Sequence, residues 1–200
     1  MRLVFVRESD LDRKGDDMTR AILSDGLPIT EEEYLALGET ADRIELFDGS
    51  LHMTARPTTT HQHVLVELIV ALRLPARDAG SRVLPGPNLR LKPNRITNPD
   101  LVITTDMEHK LVLNADSVLL VCEITSPSNA ATDKVLKMHY YATAGIPWYL
   151  VVEQETTTLH LYALVDDTYV EKAVVRPGET LRLTDPVVAV LDPIELSPPV

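Results

Sequence analysis

Two acidic residues stand where a carboxylate is costly to keep. Asp100 closes the tight Asn98-Pro99-Asp100 junction at the mouth of a short apolar stretch, and Glu123 follows the apolar run Val118–Cys122. A buried carboxylate destabilises a fold unless it is paired or coordinates a cation. Two carboxylates with a main-chain carbonyl at Ile124 or Thr125 suit Mg2+ or Mn2+, hard ions that prefer oxygen and keep several waters. An ion so held lowers the pKa of a bound water and steadies charge on a scissile phosphate. A fixed ammonium near the developing charge serves the same end. Lys137, on the helix expected after Glu123, is the first choice for it. Lys134, Lys137 and Tyr141 share a helix face by three- and four-residue spacing, so Lys134 is the second choice and Tyr141 a hydrogen-bond partner.

Each residue taken singly has an ordinary explanation. Asp133 lies four residues before Lys137, the spacing of a surface ion pair. Asp100 suits a turn after proline, and Glu123 suits a strand end paired with an arginine. His61 and His63 invite zinc, but two residues apart on a helix they point to different sides, so zinc is set aside. The single cysteine, Cys122, reads as a small buried hydrophobe, and four-cysteine zinc is excluded. Trp148 and Tyr149 open an apolar strand and read as core rather than as a base-stacking platform.

The elements that must position these residues are legible in outline. Thr30 followed by Glu33 is a capping box, which predicts a short helix from about Glu31 to Leu37. Asp48-Gly49 between Arg43–Phe47 and Ser50–Ala55 predicts a hairpin with a type I′ turn. From His61 to about Leu74 the apolar residues Val64, Leu65, Leu68, Ile69 and Leu72 recur at helical spacing, and Pro75 is expected to end that helix. Strands are expected at Arg82–Leu84, Leu89–Lys92 and Leu101–Thr104, and Val118–Ile124 reads as a buried central strand. The residues Ser126, Pro127, Ser128 and Asn129 supply helix-start chemistry for a helix from about Ala130 to Ala144, stopped by Gly145 and Pro147. Strands resume at Trp148–Val152, Leu159–Ala163, Tyr169–Val175 and Leu181–Leu183, making the last third mostly antiparallel.

Bulk properties bound the function. The 200 residues fit one domain, read as residues 27–200 behind a charge-rich arm over residues 1–26. No apolar run approaches the roughly 20 residues needed to cross a bilayer, and the start turns charged too early for a signal peptide, which predicts a cytoplasmic protein with no membrane partner. A net charge of −11 excludes a protein that coats nucleic acid nonspecifically. Contact with nucleic acid would need a local basic patch, and Arg82, Arg90, Lys92 and Arg95 form the densest stretch, although scattered surface charge explains them as well. The antiparallel C-terminal strands predict, across a two-fold axis, a homodimer.

The ordered series carries a resemblance. It comprises the Arg43 to Gly49 segment, His61, Pro99-Asp100, Glu123 to Asn129, Asp133 with Lys137 and Tyr141 at four-residue steps, and Ala144 to Val151. Over about Leu27 to the C-terminus it resembles the Uma2 family of restriction-endonuclease-like proteins. The resemblance implies an α/β (α+β) fold with a PD-(D/E)XK nuclease core, a mixed central sheet flanked by helices, and additional antiparallel C-terminal strands. It implies Asp100 and Glu123 as metal carboxylates and a Mg2+ or Mn2+ cofactor, with nucleic acid, DNA above all, as the substrate. The superfamily's lysine position is Thr125 here, and the resemblance moves that role to Lys137. It also brings in Glu45 as a further metal carboxylate and His61 as a substrate or water contact, beside the plainer readings of a strand acid and a helix-start histidine. A catalytically silent protein that keeps the fold and binds a partner or nucleic acid is the competing expectation, motivated by Thr125 and the acidity.

Overall fold

The computed structural model describes residues 28–38, 40, 43–54, 56–125 and 130–198. In chain order the elements are α1 (Glu31–Ala36), β1 (Arg43–Phe47), β2 (Ser50–Thr54), α2 (Thr59–Asp78), β3 (Arg82–Pro85), β4 (Asn88–Lys92), β5 (Arg95–Thr97), β6 (Leu101–Thr104), β7 (Val112–Asn114), a 3-10 turn (Ala115–Ser117), β8 (Val118–Thr125), α3 (Ala130–Thr143), β9 (Trp148–Glu153), β10 (Leu159–Val165), β11 (Thr168–Val175), β12 (Leu181–Leu183), β13 (Ala189–Leu191) and α4 (Pro193–Leu196). The expected N-terminal arm, Ala55 and the helix-start segment 126–129 lie outside the described residues. Two compact units form: Met1–Arg56 with Pro93–Thr97, and Pro57–Lys92 with Asn98–Val200.

In the first unit, local chemistry acts as read. The Thr30 side chain accepts from Glu33 N–H while Glu33 reaches back to Thr30 N–H at 2.8 Å, so α1 starts on a full capping box. Asp48 and Gly49 both take positive φ, 50° and 92°, the signature of the type I′ turn between β1 and β2. Glycine is required there for a second reason, since a Cβ on Gly49 would stand 3.0 Å from Pro28 Cβ. Strand β5, too short to announce itself, pairs antiparallel with β1 through Leu46↔Ile96 and Phe47↔Arg95.

The second unit is built on a six-stranded sheet ordered β11-β10-β9-β8-β6-β3. The β8–β9 pair is parallel and the other pairs are antiparallel, so the sheet is mixed. Strand β8 is interior, as its unbroken apolar run requires. Its residues alternate between two cores. Leu120, Cys122 and Ile124 join Val64, Leu68, Leu72 and Ala76 of α2, while Val121 joins Tyr141 of α3, Ile146 and Tyr149. Helices therefore cover both faces, the mixed α+β arrangement expected. Beside the sheet, β4 and β7 form a parallel pair and β12 and β13 an antiparallel one.

One boundary differs from expectation. Helix α2 runs through Pro75 to Asp78. Proline removes one intrahelical bond, yet the buried stripe His61, Val64, Leu68, Leu72 and Ala76 keeps its four-residue step across it. The end is instead set at Gly80, with φ 70°, where Ser81 Oγ and Ser81 N–H both donate to the Ala76 carbonyl. Strands β7 and β13 and helix α4, each of four residues or fewer, were not read from the sequence. Among the described residues, no helix is long and apolar enough to cross a membrane.

Candidate functional site

The register of β6 against β8 brings the two acids together. Leu101 pairs with Cys122, Val102 with Val121 and Ile103 with Leu120. Asp100 is the residue before Leu101 and Glu123 the residue after Cys122, so the register leaves the two acids across from one another where the β6–β8 ladder ends. Both residues are buried, 4% and 8% exposed. The turn that presents Asp100 is tied down on both sides. Gly86 N–H donates to the Asp100 carbonyl, and Asn98 Nδ2 donates to Asn88 Oδ1 at 2.9 Å.

Proline explains why the ladder stops there. Within an antiparallel pair a residue sends its N–H and its carbonyl to the same side. Ile124 would next face Pro99, which has no N–H to return. Ile124 N–H instead donates to Asp100 Oδ2 at 2.8 Å. By the same rule its carbonyl faces the β6 side, where Pro99 has no N–H to offer.

Glu123 is met from α3. Tyr141 OH donates to Glu123 Oε1 at 2.6 Å, and Lys137 Nζ lies 3.3 Å from the same oxygen. Tyr141 is fully buried and Lys137 is 5% exposed. Lys137 thus turns inward to Glu123. The side chains of Asp133 and Lys134 lie outside the described residues. Thr125, at the superfamily's usual lysine position, is half-buried with its hydroxyl 3.5 Å from the Val152 carbonyl. Cys122 projects to the opposite face, where burial, with the charges of Asp100 and Glu123 close by, pushes its thiol well up.

A second contact on Asp100 comes from the first turn of α2. His61 Nε2 lies 3.1 Å from Asp100 Oδ2, and His61 N–H is capped by Thr58 Oγ1. The other ring nitrogen, Nδ1, is buried with no hydrogen-bond partner among the described residues, an arrangement that costs about 1–3 kcal/mol. His63 turns elsewhere, its Nε2 3.2 Å from the Ser197 carbonyl, so the two histidines do not converge.

The donors suit a hard ion that retains water. Among the described residues no three or more His, Cys, Asp or Glu side chains are grouped to hold a metal. Two carboxylates with a main-chain carbonyl match the sparse protein contribution typical of Mg2+ and not the four-ligand cage of structural zinc. Glu45 is buried on β1 of the first unit, across from His52. Within the basic stretch, Arg95 is buried and ion-paired with Asp48, which removes it as a surface cation. Arg82 donates to the Glu108 carbonyl and Arg90 to Asn114 Oδ1, while Lys92 is exposed.

The sequence reading named His61, Lys137 and Tyr141, but it missed the bonding. The Asn-Pro pair signalled a turn without disclosing Asn88 as its anchor, and His61 carried no signal of Asp100 as its partner.

Comparisons with known proteins give a family and a fold. A family model named Uma2, described as "Putative restriction endonuclease", matches residues 31–193. No curated protein matches the chain. Among solved structures, the crystal structure of "a putative nuclease belonging to DUF820" from Anabaena variabilis is similar, with a TM-score of 0.69 at 18% identity over 84% of this chain and 97% of that one. At that identity the likeness is one of fold.

Proposed function

The chain belongs to the Uma2 family, and from that premise we propose that it is a Mg2+- or Mn2+-dependent endonuclease that hydrolyses phosphodiester bonds of nucleic acid, DNA in particular. The observation that carries the proposal is the β6–β8 register with Lys137 drawn in beside Glu123. Asp100, Glu123 and the Ile124 carbonyl are the groups that would hold the ion. Bound there, a divalent cation supplies an activated water and a Lewis acid for the scissile phosphate.

The remaining work falls to the chain's own residues. Tyr141 fixes the orientation of Glu123 through a short charge-assisted bond. Lys137 is a preorganised cation at the site, suited to negative charge developing on the phosphate, and takes the role that Thr125 cannot fill. With a net charge of −11, attraction to nucleic acid has to be local, and Arg82, Arg90 and Lys92 of the second unit are the cations proposed for it.

The test is cleavage of plasmid and oligonucleotides by the purified chain with Mg2+ or Mn2+ and with EDTA, beside Asp100→Asn. Cleavage should require the ion and vanish in the folded variant. Equal activity of wild type and variant would expose a contaminant and defeat the assignment. Thr125 favours one rival, a silent member of the fold that binds without cutting. That rival predicts no rise in thermal midpoint with millimolar Mn2+, whereas an ion bound only by the native state must raise it.

A further inference from the structure

Asp100 Oδ2 accepts from Ile124 N–H at 2.8 Å and lies 3.1 Å from His61 Nε2. A carboxylate has no hydrogen to give, so a ring nitrogen bonded to it is the donor. The histidine comes from a rigid mount. It sits in the first turn of the 20-residue helix α2, its own N–H bonded to Thr58 Oγ1, at the head of the stripe that packs on the sheet.

Its environment does not fit a histidine retained for packing. The rest of that stripe is Val64, Leu68, Leu72 and Ala76, all apolar and fully buried. The large majority of buried polar groups are bonded, whereas Nδ1 has no partner among the described residues. The ring is satisfied only at the end that meets Asp100.

We infer that His61 is the positioning residue for Asp100, clamping Oδ2 together with Ile124 N–H so that the carboxylate is aimed before any ion arrives. This deepens the metal-dependent proposal and rests on it. His61 touches neither the ion nor the substrate in this role; it acts through the carboxylate, as outer partners of metal ligands do.

The experiment is titration of Mn2+ alone into the metal-free, full-length chain by calorimetry, with the thermal midpoint of each variant recorded in EDTA. His61→Leu should weaken Mn2+ binding about 10- to 100-fold. His61→Gln, whose amide nitrogen reaches the position of Nε2, should bind close to wild type. His61→Asn, polar but too short, should behave like His61→Leu and carries the comparison if the leucine variant does not fold. Wild-type binding in all three variants would overturn the inference and leave the metal-dependent proposal standing. So would equal weakening in the glutamine and leucine variants, because the ring's shape would then matter and its donor would not. If the wild-type chain itself binds no Mn2+, the metal-dependent proposal falls, and this one with it.

Discussion

Replacing Lys137 by methionine keeps most of the aliphatic volume and removes the ammonium beside Glu123. The pair is buried, with side chains 7% and 10% exposed and Nζ 3.3 Å from Oε1. An exposed pair contributes about 0–1 kcal/mol. Removing one partner of a buried pair costs about 3–5 kcal/mol, because the remaining charge stays desolvated. For a chain of this size, about 2–4 °C per kcal/mol puts the fall in thermal midpoint in EDTA at about 6–20 °C. A divalent cation bound at Glu123 supplies the missing positive charge, and an ion at 100 times its dissociation constant returns about 2.7 kcal/mol. The variant should therefore gain more from Mn2+ than the wild type does. Adding Glu123→Gln removes the stranded charge while keeping an acceptor for Tyr141, so the double variant should melt above Lys137→Met in EDTA. Calorimetric melts of the four proteins, with and without Mn2+, decide the matter. A midpoint for Lys137→Met within about 2 °C of wild type would show the pair to be worth no more than a surface contact, and the electrostatic account of the site would be wrong.

Other expectations concern groups around the site. Burial, aided by a hydrogen bond to Glu171, raises the Tyr162 phenol from 10.0 to about 12; the native fold holds that proton more tightly, so this stabilisation is whole below pH 10 and is lost as pH rises toward 12. The phenolate absorbance difference between wild type and Tyr162→Phe should have its midpoint near 12, and one near 10 would refute the assignment. Cys122 is buried with its thiol pushed well up, so the native protein should ignore thiol reagents and the denatured protein should take up one equivalent, matching its single cysteine. We propose a homodimer, for which light scattering should give twice the mass of the chain; a clean monomer would refute it. We also propose that residues 27–200 melt as one domain, and two separated calorimetric transitions would argue against that.

Legibility in the sequence followed the range of the interactions. Thr30 and Glu33 cap a helix, Asp48 and Gly49 turn a hairpin, and the run from Val118 declares an interior strand, each within a few residues. Strands β5, β7 and β13, three residues each, stayed hidden, although β12, just as short, was read from its sequence; what makes the first three strands is their partners. Pro75 misled because its local cost is real, yet the helix continues to Asp78 and buries Ala76 in the core.

At the site, residue types and spacing together with the family resemblance nominated Asp100, Glu123, Lys137 and Tyr141, since spacing along a helix or strand fixes which side chains share a face. Spacing does not say which way a face turns. That Lys137 looks inward to Glu123 was decided by how α3 lies on β8, and that Asp100 stands across from Glu123 was decided by the offset between β6 and β8. That His61 meets Asp100 was decided by how α2 seats on the same sheet. These quantities are set by packing across long stretches of chain, so the amino-acid order determined the chemistry on offer, and tertiary structure alone decided which groups would meet.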